Sequence, residues 1–149
     1  MDFDFQDLIS AITSHALALG VFDSVNGHQP TSVPNTGMTC AVWAQEIDAD
    51  PENSGLATTS TAVELNVRLY MALNPQAPDA IDPAMMNATS ELLAAYNGDF
   101  TLEGLVRNVE VLQAKARAGY MDQADQTLRV MTISLPIGIN DLWEQVASS

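Results

Sequence analysis

The sequence contains very little positive charge. Its 149 residues include five Lys and Arg against 19 Asp and Glu, so the formal net charge is −14. No Lys or Arg precedes Arg68. Proteins that bind duplex nucleic acid or anionic membranes do so through clusters of cations that meet phosphates. The composition therefore argues against a duplex-binding protein and against a protein that docks on an anionic membrane.

Long apolar runs, an export signal and paired cysteines are also missing. The longest apolar run, residues 16–22, is far shorter than the roughly 20 residues of a membrane span. The N-terminal Met-Asp-Phe-Asp-Phe carries acids where a signal peptide carries positive charge. Cys40 is the single cysteine, so we expect no internal disulfide and a reducing cytosol. Hydrophobic residues still make up 47%, which predicts one packed domain over residues 1–149.

The motifs of common enzyme classes are absent. No two of the eight glycines are separated by one residue, so no dinucleotide-binding loop is present, and a Walker loop is missing too. Cys40 with His15 or His28 is the one conceivable nucleophile–base pair. Cys40, however, opens an apolar strand pattern, where a free cysteine behaves as a small hydrophobic residue. We therefore expect no enzyme and no cofactor.

An acidic triplet looks at first like the start of a calcium loop. Asp48, Asp50 and Glu52 have the spacing of the first EF-hand ligands. The pattern then fails, because Asn53 stands where the loop needs Gly and Thr59 where it needs the bidentate Glu. A solvated acidic loop is the better interpretation, and we expect no metal site.

Two helices are predicted from periodicity and end signals. In residues 4–19 the apolar side chains recur at helical spacing, Asp4 can cap the start and Gly20 can end the helix. In residues 82–97, Asp82 as N-cap and Pro83 at the first helical position mark a start. Gly98 suits the end of that second helix.

The remaining apolar segments are predicted to be strands. Residues 62–70 alternate apolar and polar side chains, which is typical of a strand with one covered face. Residues 39–48 also alternate, with Cys40, Val42 and Ala44 predicted on one face and Trp43, Gln45 and Ile47 on the other. Further strands are predicted at 106–112 and 127–137, with shorter extended pieces at 21–25 and 118–121; Pro136 suggests a strand end or an edge. The loops are 26–38, 49–60 (a loop or long hairpin connection) and a turn at 122–126.

The element order is thus α-β-β-α-β-β. It predicts an α+β domain in which two helices pack on one face of a mainly antiparallel sheet of four to five strands.

Three stretches resemble tail terminator (tail completion) proteins of long-tailed bacteriophages, of the type found in actinobacterial phages and prophages. The first is SHALALGVFDSVNGHQP at 14–30. The second is AVELNVRLYM at 62–71, followed by Ile81-Asp-Pro and AAYNGDF at 94–100. The third is LRVMTISLP at 128–136 with NDLW at 140–143. The resemblance covers most of the chain and includes no catalytic signature.

The resemblance implies a structural virion protein. Such proteins form a ring, usually a hexamer, that caps the head-proximal end of the tail tube, stops its polymerisation and joins it to the head. The implied partners are other copies of the chain, the tail tube protein and head–tail connector or stopper proteins, assembled in the host cytoplasm. Viral DNA passes through the lumen without specific binding. Two alternatives stay open: another neck component, such as a connector or stopper subunit, or a small acidic binding domain with a ligand near Trp43.

Candidate residues follow from what a ring requires. A closed ring repeats one heterologous interface, which needs apolar anchors and complementary charges. The side chains that we expect at this interface are Trp43, Arg68, Tyr70, Arg107 and Trp143. An acidic lumen would repel the phosphates of passing DNA. We expect Asp48, Asp50 and Glu52 to line it, with the loops 26–38 and 49–60 reaching adjacent rings.

Overall fold

A computed structural model describes residues 3–28, 37–72, 78–123 and 126–144. The elements, in chain order, are α1 (Phe5–Leu19), β1 (Ser24–Asn26), β2 (Met38–Ala49), β3 (Thr58–Ala72), α2 (Pro78–Gly98), β4 (Asn108–Val109), β5 (Lys115–Gln123) and β6 (Gln126–Glu144). Short 3-10 turns occupy Pro51–Asn53 and Val111–Gln113. The α+β class is confirmed. Most of the predicted loop 26–38 lies outside the described residues, as do positions 124–125 of the predicted turn.

The strands form one mostly antiparallel sheet. Its order is β1-β2-β3-β6, and β5 and β4 then pair with successive parts of β6. Only the β1–β2 pairing is parallel among the described strands. The predicted strand count and the order α-β-β-α-β-β are wrong in detail, because the described residues form six strands in the order α-β-β-β-α-β-β-β. Strands of two and three residues, such as β4 and β1, are too short to show a period of two.

Helix α1 has the predicted ends. The Asp4 carboxylate accepts a hydrogen bond from the Gln6 backbone N–H at 2.9 Å, which satisfies one of the free donors of the first turn. Gly20 adopts a left-handed φ of 71° at the other end, a conformation that favours glycine. The segment after β2, predicted as a loop or long hairpin connection, joins β2 to β3, and these two strands pair antiparallel as in a hairpin.

Helix α2 starts earlier than predicted. It begins at Pro78, so Pro83 lies inside the helix and Asp82 is not its cap. The Asp82 carboxylate instead accepts a hydrogen bond from Arg129 Nε of β6 at 2.9 Å. The additional first turn buries Ile81, which gives the helix an apolar contact that local sequence signals do not contain.

The helices and one face of the sheet enclose the main core. Buried side chains of α1 and α2 pack against alternate residues of β2, β3 and β6, with Leu102, Val106 and Val109 closing one end. The predicted strand over 106–112 is mostly wrong. Its two buried valines are three residues apart, and Val106 N–H bonds to Thr101 O in a turn, so the apolar spacing reflects a turn rather than an extended strand.

A bulge in β2 changes the face on which its second half lies. The pairing with β3 shifts between Ala44 and Glu46, after which Ile47 lies opposite Val63. A bulge inserts one residue and so reverses the alternation beyond it. Ile47 therefore lies on the helix face, and the prediction that it shares a face with Trp43 is wrong.

Pro136 lies in the interior of β6, not at its end. It is opposite Glu64 of β3, and its carbonyl accepts a hydrogen bond from Glu110 N–H on the other side. Because the N and O atoms of one strand residue point to the same side, the missing N–H of Pro136 faces the junction between β5 and β4. The proline thus costs β3 no hydrogen bond.

One buried hydroxyl in β3 suggests a stabilising substitution. Thr61 is fully buried, and its Oγ1 has no hydrogen-bond partner among the described residues. Thr61→Val keeps the shape and removes an unsatisfied polar atom, so we expect the free energy of unfolding to rise by about 1 kcal/mol. Urea denaturation measures this. Thr61→Ser, which keeps the hydroxyl and loses the methyl group, is the control and should destabilise; an equal loss of stability in Thr61→Val would contradict the prediction.

Candidate interaction surface

The sheet face opposite the helices, here called the outer face, carries half of the candidate side chains. Strand alternation and the observed register place the following residues on it: Trp43, Glu46, Asp48, Glu64, Asn66, Arg68, Tyr70, Lys115, Arg117, Met121, Thr132 and Ser134. The register brings two of the predicted interface residues, Trp43 and Arg68, to diagonal positions on β2 and β3, where side chains can touch.

Arg68 is held at the centre of this face by neutral groups. Its guanidinium carbon lies 5.2 Å from the centroid of the Trp43 ring. Its Nε donates to Thr132 Oγ1 at 2.9 Å, and its Nη1 lies 3.4 Å from Met121 Sδ. Burial lowers the pKa of Arg68. Within the described ranges no carboxylate lies within ion-pair distance of Arg68, so the side chain is an immobilised cation without an internal counterion.

Two more cations lie on the same face. Arg117 is beside Thr132, the hydrogen-bond partner of Arg68, and Lys115 is one position along beside Ser134. Both line a shallow cavity of about 370 Å³ together with Glu64. Three of the five cations of the chain are therefore collected on one face of an otherwise acidic protein.

The two aromatic candidates on the outer face differ in exposure. Trp43 is half-buried, whereas Tyr70 is 1% exposed and belongs to a small apolar cluster with Ala41 and Val130. Burial raises the pKa of the Tyr70 hydroxyl. In the single chain, Trp43 has exposed surface that a partner could contact, whereas Tyr70 packs inside the apolar cluster of the sheet.

Arg107 lies elsewhere, at the end of the sheet. Its Nη2 is 3.3 Å from Asp50 Oδ2 and 3.8 Å from Glu110, and its Nη1 donates to Asn140 Oδ1 at 3.0 Å. The guanidinium packs on Gly138, where an added Cβ would clash with Nη2. Arg107 thus has the carboxylate partners that Arg68 lacks.

The acidic candidates are not equivalent. Hydrogen bonds from Asn53 and then from Arg107 lower the pKa of the Asp50 carboxyl, so Asp50 is engaged within the chain. Asp48 and Glu52 are exposed, on β2 and on the turn that follows. Next to Asp48, Glu46 lies directly opposite Glu64, and the hydrogen bond and charge of Asp48 raise the pKa of Glu46.

Trp143 lies near the end of β6, opposite Thr59, and is 44% exposed. It is far along the strand from the Arg68 row, so the structure does not bring the two tryptophans together.

An apolar groove opens on the helix face beside the end of β2. Phe5 and Ile9 of α1 line it with Ile47 and Val63, and its volume is about 420 Å³. Ile47 is 45% exposed there. The small-domain alternative expected a closed pocket near Trp43; this groove is open and lies on the opposite face.

Cys40 and His15, two members of the conceivable nucleophile–base pairs, have structural surroundings in the fold. Burial raises the pKa of the Cys40 thiol to about 12, so it is protonated at neutral pH. His15 Nε2 lies 2.9 Å from Asp99 Oδ2, and its ring contacts Tyr96 edge-on. The described ranges contain no group of three or more His, Cys, Asp or Glu side chains suited to a metal ion.

The Asp82–Arg129 pair should make stability depend on pH. The hydrogen bond and charge of Arg129 lower the pKa of the Asp82 carboxyl. A folded-state pKa below the unfolded value means that the stabilisation is complete above about pH 4 and is lost as pH falls through the folded value. Asp82→Asn should therefore be less stable than wild type at pH 7, and the two should converge once the pH falls below the lowered pKa of Asp82. Urea titrations in wild-type and Arg129→Met backgrounds measure this; an equal effect of Asp82→Asn in both would contradict it.

Two cations of the outer face escaped prediction. Lys115 and Arg117 lie in β5 ahead of residues 118–121, the only part of that strand that was predicted to be extended. The alternation Lys-Ala-Arg-Ala-Gly at 115–119 was the available signal, because it places both cations on one face of a strand.

Neither models of known protein families nor curated protein sequences match the chain. Among solved structures, the chain is similar to the sheath/tube terminator of an extracellular contractile injection system, PVC, in its extended state. The TM-score is 0.49 and the identity 11%, over 100% of this chain and 64% of that chain. A likeness of this degree carries no argument about function. None of the described helices is long and apolar enough to cross a membrane.

Proposed function

We propose that this chain is a tail-terminator subunit: it forms a ring, expected to be a hexamer, that caps the head-proximal end of a phage tail tube and joins it to the head. The observation that carries the proposal is the outer face, where Arg68 is stacked on Trp43, has no carboxylate partner among the described residues, and lies beside Arg117 and Lys115. Such a face is suited to an acidic protein surface, and the chain itself, at −14, is one.

The resemblance in the sequence determines which assembly we propose. Its three stretches include the end of α1, β1, most of β3, the end of α2 and the centre of β6, and these elements contribute to the core and the outer face. The proposed partners are further copies of the chain, the tail tube protein and connector or stopper proteins.

An acidic lumen is part of the proposal. A channel for DNA should repel phosphates, because bound phosphates would slow passage. We propose that the end of β2 and the β2–β3 connection line the channel through Asp48, Asp50 and Glu52. Glu52 is exposed, and Asp50 is held by Arg107. A lumen lined mainly by Arg and Lys would overturn this part.

The position of the subunit in the virion tests the function. Virions that carry a tagged copy of the chain are imaged by cryo-electron microscopy. Symmetric tag density at the head–tail joint, in contact with the last tube ring, supports the proposal. Density at the joint without tube contact would indicate a connector or stopper subunit, and density elsewhere would exclude a neck role.

Substitutions on the outer face test the interface. Trp43→Ala and Arg68→Ala should each reduce ring formation and the joining of tails to heads. Arg129→Ala is the matched control, because Arg129 binds Asp82 on the helix face. If both outer-face variants assemble as wild type does, the interface assignment is wrong.

A further inference from the structure

Two strand edges of the sheet have no partner within the described residues. β1 pairs with β2 only at Thr39, Cys40 and Ala41, so the outer edge of β2 is open beyond that point up to Ala49. At the other side of the sheet, β5 pairs with β6 alone. An open edge presents a row of backbone donors and acceptors that can pair with a strand of another chain.

The two edges carry opposite charge. On the outer face, the free part of β2 presents Glu46 and Asp48, and β5 presents Lys115 and Arg117. Charged side chains on an edge commonly serve only to prevent unwanted pairing. In a chain with 19 acids, acidic side chains on both edges would be enough to prevent unwanted pairing. Two of the five cations nevertheless lie on β5. Like edges therefore repel each other, and unlike edges attract.

The strand directions are also compatible. β2 is antiparallel to β3, β3 to β6, and β6 to β5. β5 therefore runs opposite to β2, and a second copy in the same orientation would present its β2 antiparallel to the first copy's β5. The outer faces of the two sheets would then lie on the same side.

We propose that copies of this chain associate head to tail by pairing β5 of one copy with the free edge of β2 of the next. In this arrangement Lys115 lies opposite Asp48, Arg117 opposite Glu46, and Ala116 opposite Ile47. The first two pairs join opposite charges on the outer face, and the third covers part of the exposed Ile47 side chain on the helix face. The occupant of the β2 edge is thus a second copy, selected by charge.

This inference deepens the proposed ring, since a heterologous interface that repeats with rotation closes into one. In this arrangement Asp48 lies at the subunit boundary and not in the lumen proposed above, and Glu52 remains available to the channel. The inference concerns the purified chain alone, so its failure is distinguishable from failure of the tail-terminator function, which the virion images test.

Cysteine trapping tests the register. Ile47→Cys and Ala116→Cys proteins are mixed under a mild oxidant at concentrations up to about 1 mM, the weak end of specific association. Cys40 is buried and protonated, so it does not compete. The mixture should form a disulfide-linked dimer, whereas each variant alone should not, because position 47 meets only position 116. Leu56→Cys, on a more accessible hairpin position that is 98% exposed, replaces Ile47→Cys in the control mixture.

Two outcomes of the trapping experiment would overturn the proposal. The first is a mixture that forms no more disulfide than the Leu56→Cys control. The second is disulfide formation by either variant alone at the rate of the mixture, which would indicate a two-fold contact between like edges.

Charge reversal tests the selection mechanism on the cysteine pair. Lys115→Glu with Arg117→Glu, introduced into the Ala116→Cys protein, should slow trapping about tenfold, since two attractive pairs become repulsive. Glu46→Lys with Asp48→Lys in the Ile47→Cys protein should restore the rate. Circular dichroism establishes that each variant is folded. Unchanged trapping in the singly reversed mixture, or no recovery in the doubly reversed one, would contradict pairing by these charges.

Discussion

Replacing Ile133 by alanine should lower the free energy of unfolding by about 3 to 4 kcal/mol, one of the two largest effects that we expect. Ile133 is 0% exposed near the middle of β6, opposite Val67 of β3 and Ala116 of β5. The substitution removes three carbon atoms from the core, and the strands on both sides prevent the cavity from collapsing.

Thermal and urea denaturation measure this loss, and for a chain of this size it corresponds to a fall in Tm of about 10 °C. Leu56→Ala is the matched control, because Leu56 is 98% exposed; its effect should stay within about 0.5 kcal/mol. A loss below about 1 kcal/mol for Ile133→Ala would contradict the described packing of helices on this face.

The second large effect concerns Tyr96, which joins the two helices. Its side chain is fully buried, and its hydroxyl donates to the carbonyl of Ile12 in α1 at 3.0 Å. Tyr96→Ala should cost about 3 to 5 kcal/mol through the cavity it leaves. Tyr96→Phe keeps the ring and removes only the buried hydrogen bond, for which we expect about 1 to 2 kcal/mol.

The pair of Tyr96 variants separates ring packing from hydrogen bonding. Both are measured by urea denaturation at pH 7, where the hydroxyl is protonated because burial raises its pKa well above the ordinary value. Equal stability of Tyr96→Phe and wild type would mean that the hydroxyl does not hold α1 to α2. A stable Tyr96→Ala variant would contradict the helix packing itself.

Local sequence signals were sufficient to predict the ends of a helix that has its own capping residues. Asp4 and Gly20 bound α1 because capping acts between neighbouring residues. The predicted start of α2 was wrong, because the Asp82 carboxylate has two possible hydrogen-bond partners. One is the backbone of the first turn of a helix, and the other is Arg129, which is 47 residues away. Only the folded chain decides between a local and a distant partner.

The bulge in β2 made it impossible to predict from the sequence alone which side chains of that strand lie on which face of the sheet. Its position follows from how β2 pairs with β3, and pairing between strands is a tertiary property. Strict alternation therefore placed Trp43 correctly and Ile47 on the wrong face.

The candidate surface was predicted in part. Trp43 and Arg68 were identified as side chains on polar strand faces, but their contact depends on the β2–β3 register. Lys115 and Arg117 were missed because the first five residues of β5 contain two alanines and a glycine besides these two cations, which leaves no apolar face to reveal a strand. Their importance appears only when β6 places them beside Thr132.

The central position of β6 has a consequence for biosynthesis. β6 pairs with β3, β4 and β5, yet it follows all of them in the chain, so a nascent polypeptide cannot complete the sheet until this segment leaves the ribosome. Contacts between segments far apart in sequence slow folding, and unpaired strands meanwhile invite aggregation. The charge of −14 acts during this interval, because unfinished chains repel one another before their strands can pair incorrectly.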